Sequence, residues 1–202
     1  MKNPRKISSP LGLAVLVLLF EKAMHPYEMA VTLKQRRKEQ SIKLRYGSLY
    51  TVIDQLEREG LIEAAGTERD GGRPERTTYR ITDAGETEMG AWLRALLAEP
   101  VKEYPQFEAA LSLLPALPPK DVQLLLAERL GRLEDQERQI QADLNNAAAA
   151  NMPALFLVES EYALALVRAE RVYVKRLAQG IETGELGGVE QWQQWHLDHK
   201  RN

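Results

Sequence analysis

The hydrophobic period of the chain changes once between residues 47 and 81, and this change restricts the fold more than any other feature. Four apolar residues first recur with the spacing of one helix face, namely Leu49, Val52, Ile53 and Leu56. Gly60 then ends the pattern at a position that favours left-handed backbone. After it, the alternating runs 61–68 and 76–81 flank Asp70-Gly71-Gly72, which is a strong turn signal. The segment therefore predicts a helix followed by a two-stranded hairpin.

Two further helices are predicted before this segment. The first, over residues 10–22, is apolar nearly all round and should lie at the centre of its domain. His25 is placed to cap the second helix, residues 26–39, which has proline in its first turn. Its inner side is predicted to use Tyr27, Ala30 and Val31. The third helix is predicted to open at Gly47-Ser48, with Ser48 as its cap. Three short helices followed by a hairpin are typical of a winged helix-turn-helix.

The rest of the chain predicts a helical domain. A fourth helix is expected from Asp83 to Pro100, a short one over residues 107–114, and two long ones over 119–149 and 153–180. The first long helix carries a heptad seam interrupted once by a carboxylate, consisting of Leu126, Leu130, Leu133, Glu137, Ile140 and Leu144. On the second, one predicted stripe consists of Leu155, Tyr162, Leu166, Ala169, Tyr173 and Leu177.

That last helix also carries Leu164, Val167 and Val174, so it is apolar on more than one side. One neighbouring helix does not cover such a surface, and we expect a second subunit to help. The predicted fold is mainly α: a winged helix-turn-helix domain over residues 1–98, then an α-helical dimerisation domain with long antiparallel helices over 99–202.

Basic charge is concentrated in the N-terminal part, although the net charge of the chain is −2. Residues 1–94 hold 16 basic and 13 acidic side chains, whereas the remainder holds 11 and 16. The densest basic cluster consists of Lys34, Arg36, Arg37, Lys38, Lys43 and Arg45. Such a local excess attracts phosphates whatever the total charge is. A solvated charged surface is the alternative interpretation.

Several function classes are disfavoured by what the sequence lacks. The absence of cysteine excludes disulfides and thiolate chemistry, and it suits a reducing cytosol. With three histidines and no phosphate-binding glycine loop or serine-nucleophile motif, we predict no enzyme, no cofactor and no metal site. The apolar run over residues 11–20 is too short to span a bilayer, so we predict a cytoplasmic protein without a membrane contact.

Three stretches of the chain resemble the PadR family of transcriptional regulators, over about residues 10–88. They are His25-Pro26-Tyr27-Glu28-Met29; Gly47-Ser48-Leu49-Tyr50 with Leu56 to Ile62; and Gly72-Arg73-Pro74 with Tyr79-Arg80-Ile81-Thr82 and Gly85. The remainder is similar to the longer-tailed branch of the family, whose helical C-terminal domain dimerises. Thr51 and Glu75 depart from the family pattern, which often has proline and a basic residue there.

A recognition helix reaches base edges in the major groove with its N-terminal residues, while the residues before it contact the DNA backbone. Arginines on a wing suit the negative potential of a flanking minor groove. The DNA-binding candidates are Ser48, Tyr50, Thr51 and Gln55 on the third helix, Lys43, Arg45 and Tyr46 before it, and Arg73 and Arg76 on the wing.

We therefore expect a dimeric repressor on a double-stranded, pseudo-palindromic operator. The resemblance also implies a small aromatic or drug-like effector, in a pocket between the two domains near Trp92, Tyr104 and Phe107. Ordinary core packing is the alternative for those three residues. The alternative function is a winged-helix module for protein–protein interaction without specific DNA binding.

Overall fold

A computed structural model of the protein describes residues 9–68 and 76–199. The chain divides into two compact units, and the division falls between Glu103 and Tyr104. The elements of the first unit are α1 (Pro10–Glu21), α2 (Pro26–Gln35), α3 (Tyr46–Arg58), β1 (Ile62–Glu68), β2 (Arg76–Ile81) and α4 (Asp83–Ala98). The predicted order of helices and hairpin, and with it the winged helix-turn-helix, is confirmed.

The core of the first unit is built around α1 and the inner stripe of α3. Val15 and Leu16 of α1 are fully buried, as expected for a helix that is apolar nearly all round. The stripe of α3 packs into the same core and consists of Leu49, Val52, Ile53 and Leu56. Since burying one such side chain stabilises a fold by about 1.5–3 kcal/mol, this stripe fixes the rotation of α3 about its axis.

The second helix differs from its prediction in length and in orientation. It ends at Gln35 instead of residue 39, because Arg37 adopts left-handed backbone (φ 55°) and Lys38–Gln40 form a separate 3-10 turn. Its buried residues are Pro26, Met29, Ala30 and Leu33. That stripe leaves Tyr27 beside it with 61% of its surface exposed, so the predicted core position of Tyr27 is wrong.

The third helix starts earlier than predicted. Arg45 is the N-cap in extended conformation, and its carbonyl accepts the N–H of Leu49 at 3.0 Å. Ser48 therefore lies inside the first turn, and its predicted role as the cap is wrong. The C-terminal end follows the prediction: Gly60 has φ 70°, and the N–H of Leu61 donates to the carbonyl of Leu56 at 2.9 Å.

The two strands form an antiparallel hairpin whose base is attached to the rest of the unit. Its register runs from Ile62 opposite Ile81 to Glu68 opposite Arg76, with an irregularity between Ala64 and Gly66. Met24 and Tyr79 exchange two backbone hydrogen bonds of 3.0 Å, which tie β2 to the connection before α2. The predicted turn, Asp70-Gly71-Gly72, lies outside the described residues.

The second unit contains α5 (Gln106–Ser112), α6 (Pro119–Ala149), α7 (Val158–Thr183) and α8 (Val189–His199). The bounds of α6 agree with the prediction. The last long helix does not begin at Pro153, because residues 154–156 form a 3-10 turn; it continues to Thr183, where Gly184 caps it with left-handed backbone. Within the described ranges, no helix combines the length and apolarity needed to cross a membrane.

The two long helices pack against each other in antiparallel orientation. Arg129 pairs with Glu170 and Arg168 pairs with Glu137, so residue numbers rise along one helix as they fall along the other. The buried contacts come from Leu126, Leu133 and Leu144 of the seam and from Leu164, Val167, Val174 and Ile181. The side of α7 that packs inward is thus the one carrying Val167 and Val174. Of the predicted stripe, Leu155, Tyr162, Leu166 and Tyr173 are exposed, whereas Leu177 packs against the core of this unit.

Candidate nucleic-acid interface

The outer side of α3 is polar and exposed, directly above its buried stripe. Tyr50 has 48% of its surface exposed although its neighbour Leu49 is fully buried. Ser48 and Thr51 are also exposed, and Gln55 is half-buried. Ser48, Tyr50 and Thr51 lie in the N-terminal half of α3, where a recognition helix reads base edges, whereas Gln55 lies in its C-terminal half.

The start of α3 combines exposed basic side chains with unsatisfied backbone donors. Lys43 and Arg45 are both exposed immediately before the helix. Among the described side chains, none caps the first turn of α3. The first N–H groups of a helix have no acceptor within it and carry the positive end of the helix dipole. This end of α3 is thus chemically suited to a phosphate oxygen.

Hydrogen bonds along α3 restrict what its exposed side chains offer to a partner. The hydroxyl of Thr51 donates to the carbonyl of Gly47 at 3.0 Å. Its methyl group is then the part that suits an apolar contact, such as a thymine methyl. Further along, Arg58 Nε donates to the carbonyl of Asp54 at 3.2 Å, which holds the arginine along the helix.

Arg36 of the basic cluster forms a bidentate ion pair within the first unit. Arg36 Nη1 and Nη2 donate to Glu21 Oε1 and Oε2 at 2.5 and 2.6 Å, which joins the end of α2 to the end of α1. The hydrogen bond from Arg36 lowers the pKa of Glu21 and raises the pKa of Arg36 itself. In this structure Arg36 is thus engaged with Glu21, a pairing that the charge count of the cluster does not reveal.

The wing has a half-buried tyrosine at its base and an ion pair across its strands. Burial, followed by the charges of Glu57 and Asp54, raises the pKa of Tyr79. Arg80 Nε donates to Glu63 Oε1 at 2.8 Å from the opposite strand, so Arg80 is engaged within the wing.

The remaining predicted DNA contacts are only partly described. Arg73 lies outside the described residues. Tyr46 and Arg76 have described backbone, as the first residues of α3 and β2, while their side chains lie outside the described part. Two exposed residues of α3, Asp54 and Arg58, were not among the candidates. Their spacing from Thr51 is three and seven residues, so helical periodicity would have identified them.

The three predicted effector residues have different surroundings. Trp92 is 4% exposed and belongs to the core of the first unit. Tyr104 is 85% exposed at the start of the second unit. Phe107 of α5 lines a cavity within the second unit.

Comparisons with known proteins agree with this geometry. A family model described as the transcriptional regulator PadR-like family matches residues 15–91. An uncharacterised protein of Lysinibacillus sphaericus is 32% identical over 108 residues, which are 53% of this chain and 89% of that protein.

Solved structures show the same fold. Bacillus subtilis PadR in complex with operator DNA is 19% identical, with a TM-score of 0.67 over 84% of this chain and 97% of that chain. PadR of the same organism in complex with p-coumaric acid gives a TM-score of 0.69 at 18% identity, over 85% of this chain and 98% of that one. The PadR-like regulator BC1756 from Bacillus cereus gives a TM-score of 0.58 at 17% identity, over 86% of this chain and 99% of that chain. The chain belongs to the PadR-like family of transcriptional regulators.

Proposed function

We propose that the protein binds double-stranded DNA in a sequence-specific manner, with α3 in the major groove and the wing beside it. The observation that carries this proposal is the exposed polar side of α3, centred on Tyr50, above a fully buried stripe. A single α-helix fits the major groove, and a helix anchored from beneath presents its side chains to the bases in fixed positions. Bacillus subtilis PadR, which shares the fold, has been solved with its operator.

Each candidate residue has a proposed role in this complex. Residues on α3 read base edges, the residues before it hold phosphates, and the wing arginines enter the flanking minor groove. The base-reading residues are Ser48, Tyr50, Thr51 and Gln55. The phosphate-binding residues are Lys43, Arg45 and Tyr46, and the wing arginines are Arg73 and Arg76.

The protein is further proposed to act as a homodimer. The inward side of α7 is buried on α6, yet Tyr162, Leu166 and Tyr173 form a second stripe on α7 with 67%, 53% and 40% of their surfaces exposed. Their four- and seven-residue spacing is that of one helix face. A second copy of the same stripe would cover this surface and place two recognition helices on one duplex, which calls for a pseudo-palindromic operator.

On this basis we propose a repressor that a small molecule releases from its operator. PadR of Bacillus subtilis has been solved with p-coumaric acid, an aromatic carboxylic acid. Trp92, Tyr104 and Phe107 stay as predicted effector residues.

Fluorescence anisotropy with DNA from the region upstream of the protein's own gene tests DNA binding. The wild-type protein should bind a specific site at low salt, and Tyr50→Ala should lose that specificity while the oligomeric state is unchanged. Val172→Ala, which shortens an exposed side chain of the second unit, is the control and should bind normally. If no sequence-specific binding is seen, the protein–protein interaction module becomes the better explanation.

Salt dependence gives a second test of the same proposal. If each subunit neutralises about four phosphates, the log of the dimer's affinity should fall with a slope of roughly −7 against the log of the salt concentration. A slope near zero would contradict a phosphate-bound complex.

Sedimentation tests the dimer separately from DNA. Leu166→Glu places a charge in the exposed stripe and should shift the protein towards monomer. Val172→Glu is the control, since Val172 is 62% exposed on the same helix but lies to one side of the stripe. Equal sedimentation of both variants and the wild type would contradict the proposed interface.

A further inference from the structure

A cavity of about 420 Å³ lies within the second unit, between α5, the 3-10 turn that follows it and the first half of α6. This volume is within the range of small-molecule sites in proteins, which is about 300–1,000 Å³. Its walls are apolar and include Phe107, Ala110, Leu111, Leu114, Val122 and Leu126.

The polar lining residues are all on α6, namely Glu128, Arg129, Arg132 and Gln136. Glu128, Arg132 and Gln136 are exposed, so this side of the cavity faces solvent. The cavity thus has an apolar interior with charge along one edge, which is the chemistry of a site for an amphipathic ligand.

The two arginines at this edge have different surroundings. Arg129 Nε donates to Glu170 Oε1 at 2.7 Å, and its guanidinium lies 3.7 Å from the ring centroid of Phe107. Arg129 is therefore part of the wall, and it covers one face of the Phe107 ring, the one aromatic ring among the described lining residues.

Arg132 is held less firmly. Its Nη2 donates to Glu128 Oε1 at 2.6 Å, in a pair whose side chains are 76% and 58% exposed. Because an exposed pair of this kind is weak, the carboxylate of a ligand can compete for the guanidinium and bind it through two hydrogen bonds.

The wall opposite α6 is held in place by the C-terminal helix. Trp192 Nε1 of α8 donates to the carbonyls of Pro115 and Leu117, at 3.0 and 2.9 Å. These two residues belong to the turn that lines the cavity between α5 and α6. A ligand would meet a wall that is already ordered, which reduces the entropy cost of binding.

The lining also discriminates between chemical classes of carboxylate. The polar lining residues all lie on α6. The α5 side of the described lining is apolar, namely Phe107, Ala110 and Leu111, so a hydroxyl group against that wall would have no side-chain hydrogen-bond partner in it. An alkyl chain has no such requirement.

We propose that this cavity binds single-chain aliphatic carboxylates, with the tail between α5 and α6 and the carboxylate on Arg132. The inference deepens the proposed function, on which it rests, by naming the effector class and its site in the second unit.

The test is calorimetric titration of the full-length protein, without DNA, using hexanoate, octanoate and decanoate below their micelle concentrations. Because each buried methylene contributes a roughly constant free energy, affinity should rise about fourfold per added methylene. Arg132→Gln should weaken binding of decanoate by about tenfold or more, which corresponds to losing a hydrogen bond to a charged group. Ala110→Trp should abolish binding by filling the cavity.

The matched control is Arg138→Gln, since Arg138 is an exposed arginine of α6, paired with Asp135, that does not line the cavity. It should bind decanoate like the wild type. Circular dichroism verifies that each variant is folded. If Ala110→Trp does not fold, Arg132→Gln still tests the proposal, because it changes only an exposed side chain.

Affinity that is independent of chain length, or unaffected by Arg132→Gln, would overturn the proposal. An absence of binding combined with loss of the dimer in Ala110→Trp would overturn it and assign the cavity to a second copy of the chain. Since the titration contains no DNA, a protein that binds its operator but no carboxylate refutes this inference alone. A protein that binds carboxylates but no DNA refutes the proposed function alone.

Discussion

The Cα of Gly85 is so close to the carbonyl of Leu61 that a Cβ atom on residue 85 would lie 2.0 Å from the carbonyl oxygen. The same oxygen accepts the N–H of Thr82 at 3.1 Å, and the hydroxyl of Thr82 accepts the N–H of Gly85 at 3.1 Å. The first turn of α4 is therefore packed directly on the residue that starts the wing. This contact sets the position of the wing relative to α3, which ends at Arg58.

We predict that Gly85→Ala destabilises the first unit. The new methyl group meets backbone that cannot move without disturbing the wing, and overpacking of this kind costs about 1–3 kcal/mol or more. Urea denaturation followed by circular dichroism measures the change. Gly47→Ala is the control, because nothing lies within 4 Å of a Cβ built at that helical glycine. A denaturation midpoint of Gly85→Ala equal to that of the control would contradict the prediction.

Arg36 and Arg45 are predicted to have different roles, Arg45 in DNA binding and Arg36 in the structure of the first unit. Arg45→Ala should reduce the salt slope of DNA binding by about 1 per subunit, because it removes one phosphate contact. Arg36→Ala should leave the slope unchanged, since Arg36 is paired with Glu21, and should cost only about 0–1 kcal/mol of stability as an exposed pair. Anisotropy titrations at several salt concentrations measure both slopes. Equal slopes for the two variants would refute the assignment.

Glu137 is predicted to make the stability of the second unit sensitive to acid. The hydrogen bond from Arg168 Nε, at 2.8 Å, is the main cause that lowers the pKa of Glu137, and the charge of Arg171 adds to it against the opposing effect of desolvation. Arg171 Nε forms an ion pair with Glu137 Oε2 at 2.7 Å.

A lowered folded-state pKa means that the stabilisation is complete above the unfolded value of about 4.3 and is lost as the pH falls through the folded value. The wild type should therefore lose stability below about pH 5 more steeply than Glu137→Gln. Thermal unfolding between neutral and acid pH measures the difference. Glu134→Gln, an exposed carboxylate on the same helix, should follow the wild type. Parallel curves for the wild type and Glu137→Gln would disprove the prediction.

The two tryptophans of α8 provide a matched pair. Trp192→Phe removes a donor shared by the carbonyls of Pro115 and Leu117, and we expect a loss of about 0.5–1.5 kcal/mol in unfolding free energy. Trp195→Phe, at a position that is 49% exposed, should change it by less than about 0.5 kcal/mol. Chemical denaturation ranks the two variants. A larger effect at residue 195 would show that α8 is held by different contacts.

Much of the candidate interface followed from local pattern. The stripe from Leu49 to Leu56 predicted which side of α3 is buried. The other side of the helix was therefore predicted to be exposed, and Tyr50 is exposed there. Tyr27 was misplaced because a ten-residue helix offers two plausible stripes. Met29 and Leu33 form the buried stripe, and they join the same core as Leu49 and Leu56 of α3.

The sequence by itself determined the order of the elements, the buried stripe of α3 and the bounds of α6, because hydrophobic period, proline and glycine act over a few neighbouring residues. Only the tertiary structure decided that Arg36 is paired with Glu21, that the side of α7 carrying Val167 faces α6, and that Arg132 borders a cavity. Each of these depends on contacts between segments that are distant along the chain. Composition and spacing show how many charged and apolar side chains such segments carry. Which of these side chains come into contact depends on how the segments pack in the folded protein.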